Sequence, residues 1–431
     1  MSIAIVKRFG AVPVLVWMVL IALLLRLAAI PFDSIENLMD AGHIHSWEQG
    51  NVARALLAGH GFGSPFLSTQ PSAIMPPVYP LIVSVFFYLF GIHTAHSIFA
   101  IHAFDCLVNS LACIPIFFLA ERSFGPRVAR WAAWVWVFFP YGIYFSSAWA
   151  WSTHLLLLCL YILLYMAQEL ERSPRLGLWA RFGLLAGFAS LTEPSILVVV
   201  TFLLALAGWR LARAGKRWFL PGLVASLTLA AVISPWLIRD AVVFHRFIPM
   251  RDSMGLELWM GNNGYSVRWT SDQKHPLHDA RELAAYNDGE LAYMDRKAQQ
   301  AREYIHNHPR WYGWMCARRA LYLWTGYWSF DKAYLAMEPA DLENIPFATC
   351  LTLLGLAGLL LAGRRRPAEA IRFGGVLFLF PVIYYFSHPE PYHMRPLDPL
   401  LIILGCYAIL TSLGSAEEEI ESLAPLQCDT V

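Results

Sequence analysis

The chain has 431 residues, 57% of them hydrophobic and only 15% charged, and its mean hydropathy is +0.48. Soluble domains carry roughly 25% charged residues, so this composition excludes a water-soluble enzyme, a secreted disulfide scaffold and a disordered chain. Lys and Arg number 32 against 31 Asp and Glu, a balance that leaves no net field to draw in nucleic acid.

The first apolar run covers 12–30, has no small-residue cleavage site behind it, and reads as a retained span. Lys7 and Arg8 precede it, which places the N-terminus in the cytoplasm by the positive-inside bias. The following segment, 31–78, carries Asp33, Glu36, Asp40 and Glu48 but little positive charge, and is expected outside. Within it, 45–62 reads as a short amphipathic helix with Val52, Ala55, Leu56 and Gly59 on one face, ended by Gly59 and Gly61. Glu48 falls in its first turn, where the helix dipole favours a carboxylate. It is either a solvated helix-start acid or, held beside Trp47 at a membrane surface, a base of raised pKa.

Downstream, Met75-Pro76-Pro77-Val78-Tyr79-Pro80 fixes the chain in an extended form, and 79–90 is too short to span; it reads as a re-entrant or interfacial helix. The run 97–120 is then the second crossing, with Asp105 and Asn109 in its outer half. The runs 131–149 and 154–168 follow as an out-and-back pair. The stretch 182–206 starts and ends at basic clusters and is too short for two full spans, so it reads as two short helices turning at Thr192-Glu193-Pro194. A crossing at 221–238 leads to a long polar segment outside, and 347–362, 373–386 and 397–413 complete the bundle. Basic clusters at Arg122/Arg127/Arg130, Arg172/Arg175/Arg181, Arg210/Arg213/Lys216/Arg217 and Arg364/Arg365/Arg366/Arg372 mark the cytoplasmic side, and the acidic C-terminal tail ends there too. The organisation is therefore an N-terminal transmembrane module, 1–240; an extracytoplasmic segment, 241–346; C-terminal transmembrane helices, 347–414; and a tail, 415–431. The fold class is an all-α polytopic bundle of about 9–11 transmembrane or re-entrant helices.

Candidate chemistry gathers on the outer side. Three arginines sit at outer span ends or loops, against the positive-inside bias: Arg239, Arg251 and Arg395. An arginine there either snorkels to headgroups or grips a phosphate bidentately. Glu193, at the apex of a helical pair, needs a cationic partner or water. No 20–50-residue repeat is visible, which weighs against a repeat-built transporter. The seven cysteines have no metal-type spacing, and Cys106, Cys113, Cys159, Cys350 and Cys406 lie in apolar runs as small hydrophobes. No carboxylate or histidine cluster demands a metal, so no cofactor is expected, although a divalent ion is not excluded.

The order of several motifs resembles a known superfamily. They are an acid ahead of Val52-Ala-Arg54-Ala-Leu-Leu-Ala-Gly59-His-Gly61-Phe62, then Pro76-Pro77-x-Tyr79-Pro80, Leu89-Phe-Gly91, Leu191-Thr-Glu193-Pro194, and Arg395-Pro-x-Asp398-Pro399. Together they are similar to the GT-C superfamily of polytopic glycosyltransferases, in particular the bacterial branch related to protein O-mannosyltransferases and the lipid A aminoarabinose transferase. The resemblance implies a GT-C-like bundle in a bacterial inner membrane. It implies transfer of a sugar from a polyprenyl-phosphate donor to an acceptor hydroxyl of a lipid, glycan or protein on the extracytoplasmic face, with inversion. A first-loop carboxylate is the implied base. An ungapped match puts His45 near the family's usual aspartate, so Glu48 is the nearest acid and Asp40 the second candidate. Met75 stands where aminoarabinose transferases often carry lysine, which passes phosphate contact to Arg239 or Arg395. Arg251, Tyr79, Glu193, Tyr392 and His388 join them as expected substrate-binding residues. The competing readings are a transporter or lipid flippase and a non-catalytic envelope assembly subunit. Convergence of Glu48, Arg239 and Arg395 on an outward cavity favours the transferase, and their dispersion favours the transporter or flippase.

Overall fold

The structure, a computed structural model, describes residues 2–31, 35–36, 39, 47–66, 69–266, 274–328, 330, 332, 341–388 and 390–423. Among them there is no strand; the chain is helical, and seven helices are long and apolar enough to cross a membrane, with three shorter apolar helices beside them. That agrees with the bundle expected from hydropathy. Large apolar side chains such as Trp17, Leu24, Leu227, Val242 and Leu360 stand on its outside, as hydrocarbon rather than water demands.

Helix α1 (Ser2–Ala28) leads to α2 (Glu48–Leu57), α3 (Val78–Phe90), α4 (Ala95–Leu111) and α5 (Cys113–Phe124). The α4–α5 pair forms one 30-residue apolar run, bent where Pro115 has no N–H to offer the carbonyl of Leu111. The expected single crossing 131–149 is instead two helices, α6 (Pro126–Val137) and α7 (Pro140–Ala148). Pro140 is the cause, because the residue before a proline is pushed out of the helical region, and Phe139 is extended at φ −66, ψ 109.

Helix α8 (Thr153–Leu170) is followed by α9 (Leu176–Thr192) and α10 (Ile196–Arg213). This corrects the expectation of two short helices within 182–206. Both extend into their flanking basic clusters, so each is about 26 Å long at 1.5 Å per residue, with Glu193 at the turn as expected. Helix α11 (Phe219–Phe244) then leads outward.

The late outer segment holds α12 (Met254–Gly261), α13 (Ala280–Asn287), α14 (Glu290–Asn307) and α15 (Pro309–Thr325). It is followed by α16 (Asp341–Arg365), α17 (Pro367–Leu379), α18 (Val382–Phe386), a 3₁₀ turn at Pro391–Leu397 and α19 (Asp398–Leu423). The expected span 373–386 begins earlier, at Pro367, and is interrupted at Pro381, where Phe380 stays helical at φ −59, ψ −46 but Pro381 itself turns to ψ −4 and has no N–H for the helix ladder.

Two ends of the bundle are chemically distinct. At one end the basic clusters meet: Arg372 donates to both carboxylate oxygens of Glu171 at 2.8 and 2.5 Å, Arg210 also bonds Glu171, and Arg122 pairs with Glu169 at 2.5 Å. At the other end the two outer segments share a core. Val52, Phe66, Ile74 and Met75 pack with Leu256, Trp259, Met260, Tyr286 and Tyr293, although roughly two hundred residues separate the two groups in sequence.

Candidate active site

Glu48 opens α2, in the first turn as expected, but the helix runs only from Glu48 to Leu57. Its buried side is Gln49, Gly50, Asn51, Val52 and Ala53, not the face expected from apolar spacing. Polar residues can face inward here because they are bonded: Gln49 Nε2 donates to Ser152 Oγ at 3.3 Å and Asn51 Nδ2 to the Pro65 carbonyl at 2.8 Å. Trp47 Nε1 donates to the Ala150 carbonyl at 3.0 Å, and its ring folds back over Gly50, where any Cβ would overlap it. Glu48 is thus fixed on both sides to the 149–152 loop. Asp40 and His45, the other two candidate bases, lie outside the described residues.

Glu48 opens into a cavity of about 300 Å³ together with Trp151, Glu193, Arg251, Glu257, His275 and His388. Arg251 is the cation at its centre, with Nη1 3.6 Å from Glu193 Oε1 and Nη2 3.1 Å from Glu257 Oε1. The residue before it, Met250, has φ +76, a conformation that costs a non-glycine residue about 1–3 kcal/mol. Trp236 Nε1 holds the Met250 carbonyl at 2.8 Å, so the strained backbone that aims Arg251 is tied to the end of α11. Glu257 Oε2 lies 2.9 Å from His388 Nδ1, and His275 Nε2 lies 3.5 Å from Glu48 Oε1.

Electrostatics differ sharply among these carboxylates. Burial raises the Glu48 pKa to about 7, and the neighbouring Glu257 pushes it the same way against the pull of Arg251 and His388. Glu193 is also raised, chiefly by burial. Burial works against Glu257 as well, but His388 and Arg251 outweigh it and hold this carboxyl well below its usual range. Arg251 is desolvated too, yet Glu193, Glu257 and Glu48 keep its pKa above the ordinary value. One carboxylate poised near neutrality therefore faces a permanent cation–anion pair.

A second cavity, of about 570 Å³, adjoins the first. Its own lining is apolar, including Val198, Leu379, Phe380, Val382 and Ile383, and it shares Glu193, Arg251, Ser253, Glu257, His388 and His393 with the polar chamber. The shared wall is where a charged headgroup and an apolar tail could be accommodated together.

The remaining expected site residues fall elsewhere. Arg239 is not on the chamber wall: Nη1 donates to the Ser72 carbonyl at 2.7 Å and Nη2 to the Phe62 carbonyl at 3.0 Å, with Asp240 2.7 Å from Nη1. It staples the first outer segment to α11. Arg395 is likewise away from the wall, 3.3 Å from Asp398 and stacked 4.2 Å from the Tyr141 ring centroid. Tyr79 is buried, its hydroxyl donating to Asp105 Oδ2 at 2.5 Å. The Tyr392 side chain is outside the described residues. His275, His278 and Glu390 line the chamber without having been singled out in the sequence; the only signal is polarity, of the two histidines within the long outer segment and of Glu390 in the short connection before Pro391. Among the described residues no group of three or more His, Cys, Asp or Glu is arranged to hold a metal ion.

Residues 74–238 match the family described as dolichyl-phosphate-mannose-protein mannosyltransferase. Comparison with curated proteins finds no match. Among solved structures, the apo oligosaccharyltransferase of Archaeoglobus fulgidus is 14% identical with a TM-score of 0.53, covering 97% of this chain and 52% of that one. The AglB oligosaccharyltransferase of the same organism, in complex with an inhibitory peptide and a dolichol-phosphate, is 12% identical with a TM-score of 0.50, covering 99% and 53%. ArnT from Cupriavidus metallidurans bound to undecaprenyl phosphate is 14% identical with a TM-score of 0.39, covering 96% and 80%. The chain spans about half the length of the oligosaccharyltransferases it matches. The chain is thus a helical membrane protein that matches this mannosyltransferase family model over residues 74–238 and shares its fold, over nearly its whole length, with the archaeal oligosaccharyltransferase.

Proposed function

We propose that the chain transfers a sugar from a polyprenyl-phosphate donor to an acceptor hydroxyl on the extracytoplasmic face, inverting the anomeric carbon, with Glu48 as general base. The observation that carries this reading is the wall at Arg251 shared by a polar chamber and an apolar groove, with Glu48 on the chamber side. The matched family's description names a dolichyl-phosphate sugar and AglB was solved with a dolichol-phosphate, which supports a lipid-phosphate donor here. The isoprenoid would lie along α10, α17 and α18, and the phosphate against Arg251, where a guanidinium offers paired N–H donors. To do so the phosphate must take over part of the hold that Glu193 and Glu257 have on this cation.

In the reaction the acceptor oxygen attacks the anomeric carbon, the carbon–oxygen bond to phosphate breaks, and Glu48 takes the hydroxyl proton. The lipid phosphate leaves as an anion stabilised by Arg251 and needs no acid. A transporter reading lacks comparable support, because its ionisable groups would belong at mid-bilayer and these gather at one end of the bundle. On this reading the module 1–240 and the helices 347–414 frame the outer segment 241–346 of a plasma-membrane protein whose N- and C-termini face the cytoplasm. The test is to incubate the purified chain in nanodiscs with a panel of undecaprenyl-phosphate sugars together with hydroxyl-bearing lipid, glycan and peptide acceptors. Consumption of a donor by the chain, lost in Glu48→Gln, supports the reading; a panel left intact, or equal turnover by Glu48→Gln, defeats it.

A further inference from the structure

A buried general base works only if its reactive oxygen is aimed. The chamber supplies one neighbour that the reaction proposed above does not use. His275 comes from the short segment ahead of α13, and its Nε2 lies 3.5 Å from Glu48 Oε1. Several contacts fix the ring. The Leu277 backbone N–H donates to His275 Nδ1 at 3.3 Å, which makes Nδ1 the acceptor and leaves the hydrogen of the neutral imidazole on Nε2. Phe66 packs against the ring edge at a centroid distance of 5.1 Å. Around the turn, the N–H groups of His278 and Asp279 both donate to the His275 carbonyl at 2.9 Å, and Lys274 pairs with Asp279 at 2.8 Å.

We propose that His275 is a positioning residue for Glu48: its Nε2–H, aimed by this turn, holds Oε1 so that the other oxygen receives the acceptor's proton. The inference rests on Glu48 being the base. The charged and titratable groups that face Glu48 are Arg251 ahead of α12, Glu257 on α12, His388 beyond α18 and His275 itself. Those that face His275 are Glu48 and, in its own segment, His278, with the Lys274–Asp279 pair beneath. A donor on Oε1 favours the ionised carboxylate, opposing the burial that raises it. The 3.5 Å separation is long for a hydrogen bond, as catalytic contacts often are before substrate closes on them.

The experiment compares His275→Ala, His275→Gln and Glu48→Gln, alone and combined, using the undecaprenyl-phosphate sugar that the whole chain consumes in nanodiscs, with kcat followed from pH 5.5 to 9.5. His275→Ala is expected to lower kcat at pH 7 about tenfold, leave the donor KM within twofold, and move the acid limb of the profile upward so that activity recovers at high pH. His275→Gln, which keeps an N–H donor, restores most of the loss. On the Glu48→Gln background, His275→Ala adds nothing further. An unmoved acid limb, or a loss that Gln does not restore, overturns the positioning role while leaving Glu48 as base. Full activity in Glu48→Gln overturns both.

Discussion

Glu48 reaches the chamber because its two sequence neighbours are tied down, Trp47 to the Ala150 carbonyl and Gln49 to Ser152. Its burial has a direct consequence for pH. A carboxyl with a pKa of about 7 is protonated and unable to accept a proton below that value, so transfer should rise tenfold per pH unit below about 7 and level off above it. A rate–pH profile checks this, and Glu48→Gln should lower the rate by about 10²- to 10⁴-fold above pH 7, a gap that narrows as the wild-type rate falls in acid. Arg251→Ala removes a charge-assisted contact of about 1.5–3 kcal/mol, so the donor KM should rise about 10- to 100-fold, with Arg251→Lys between the two, read from initial rates against donor concentration.

The acid at the start of α2, Arg251 and the Glu193 apex could be picked out from residue type and position along the chain. Arg239 and Arg395 could not be told from Arg251 in that way. All three are outer arginines, and what separates them is which carbonyl or carboxylate each side chain meets after folding. His275 was beyond sequence reasoning for the same reason: nothing local in Lys274-His275-Pro276 records that Glu48, more than two hundred positions earlier, lies opposite.

Helix α11 stands largely in lipid and meets the bundle along α9, where Gly183 and Gly187 admit its backbone. A Cβ at position 183 would collide with the Ala225 carbonyl, the close approach that small residues make possible between membrane helices. Gly183→Leu should therefore cost about 1–3 kcal/mol and lower the thermal midpoint in detergent, whereas Gly177→Leu, where a Cβ meets nothing, should leave it unchanged. Hydropathy located these helices but misjudged their ends. It stopped α9 and α10 at their arginines, although Trp179 and Leu211 within those flanks are buried, and it read through Pro140 and Pro381, where the backbone breaks.

Across the whole molecule, the ionic cluster around Glu171 ties α8, α10 and α17 together at the basic end. Glu171→Leu leaves Arg210 only the Ala368 carbonyl and Arg372 only Glu369, and should cost about 3 kcal/mol or more, measurable as a lower unfolding midpoint. On the proposed orientation, a cysteine placed at the exposed Gln300 of α14 should react with a membrane-impermeant maleimide from outside, and one placed at Ser173 only after permeabilisation. Composition and the spacing of basic clusters were enough for the helical bundle and its two unlike ends. The pairing of the two outer segments was not visible, because their common core depends on contacts between residues such as Phe66 and Tyr286 that no local pattern links.

On the proposed reading, the partition formed by Arg251, Glu257 and His388 would also separate traffic. A greasy carrier would approach and depart sideways through the bilayer and the hydroxyl-bearing molecule through water, so that a spent carrier could be exchanged for a loaded one without evicting what waits on the wet side.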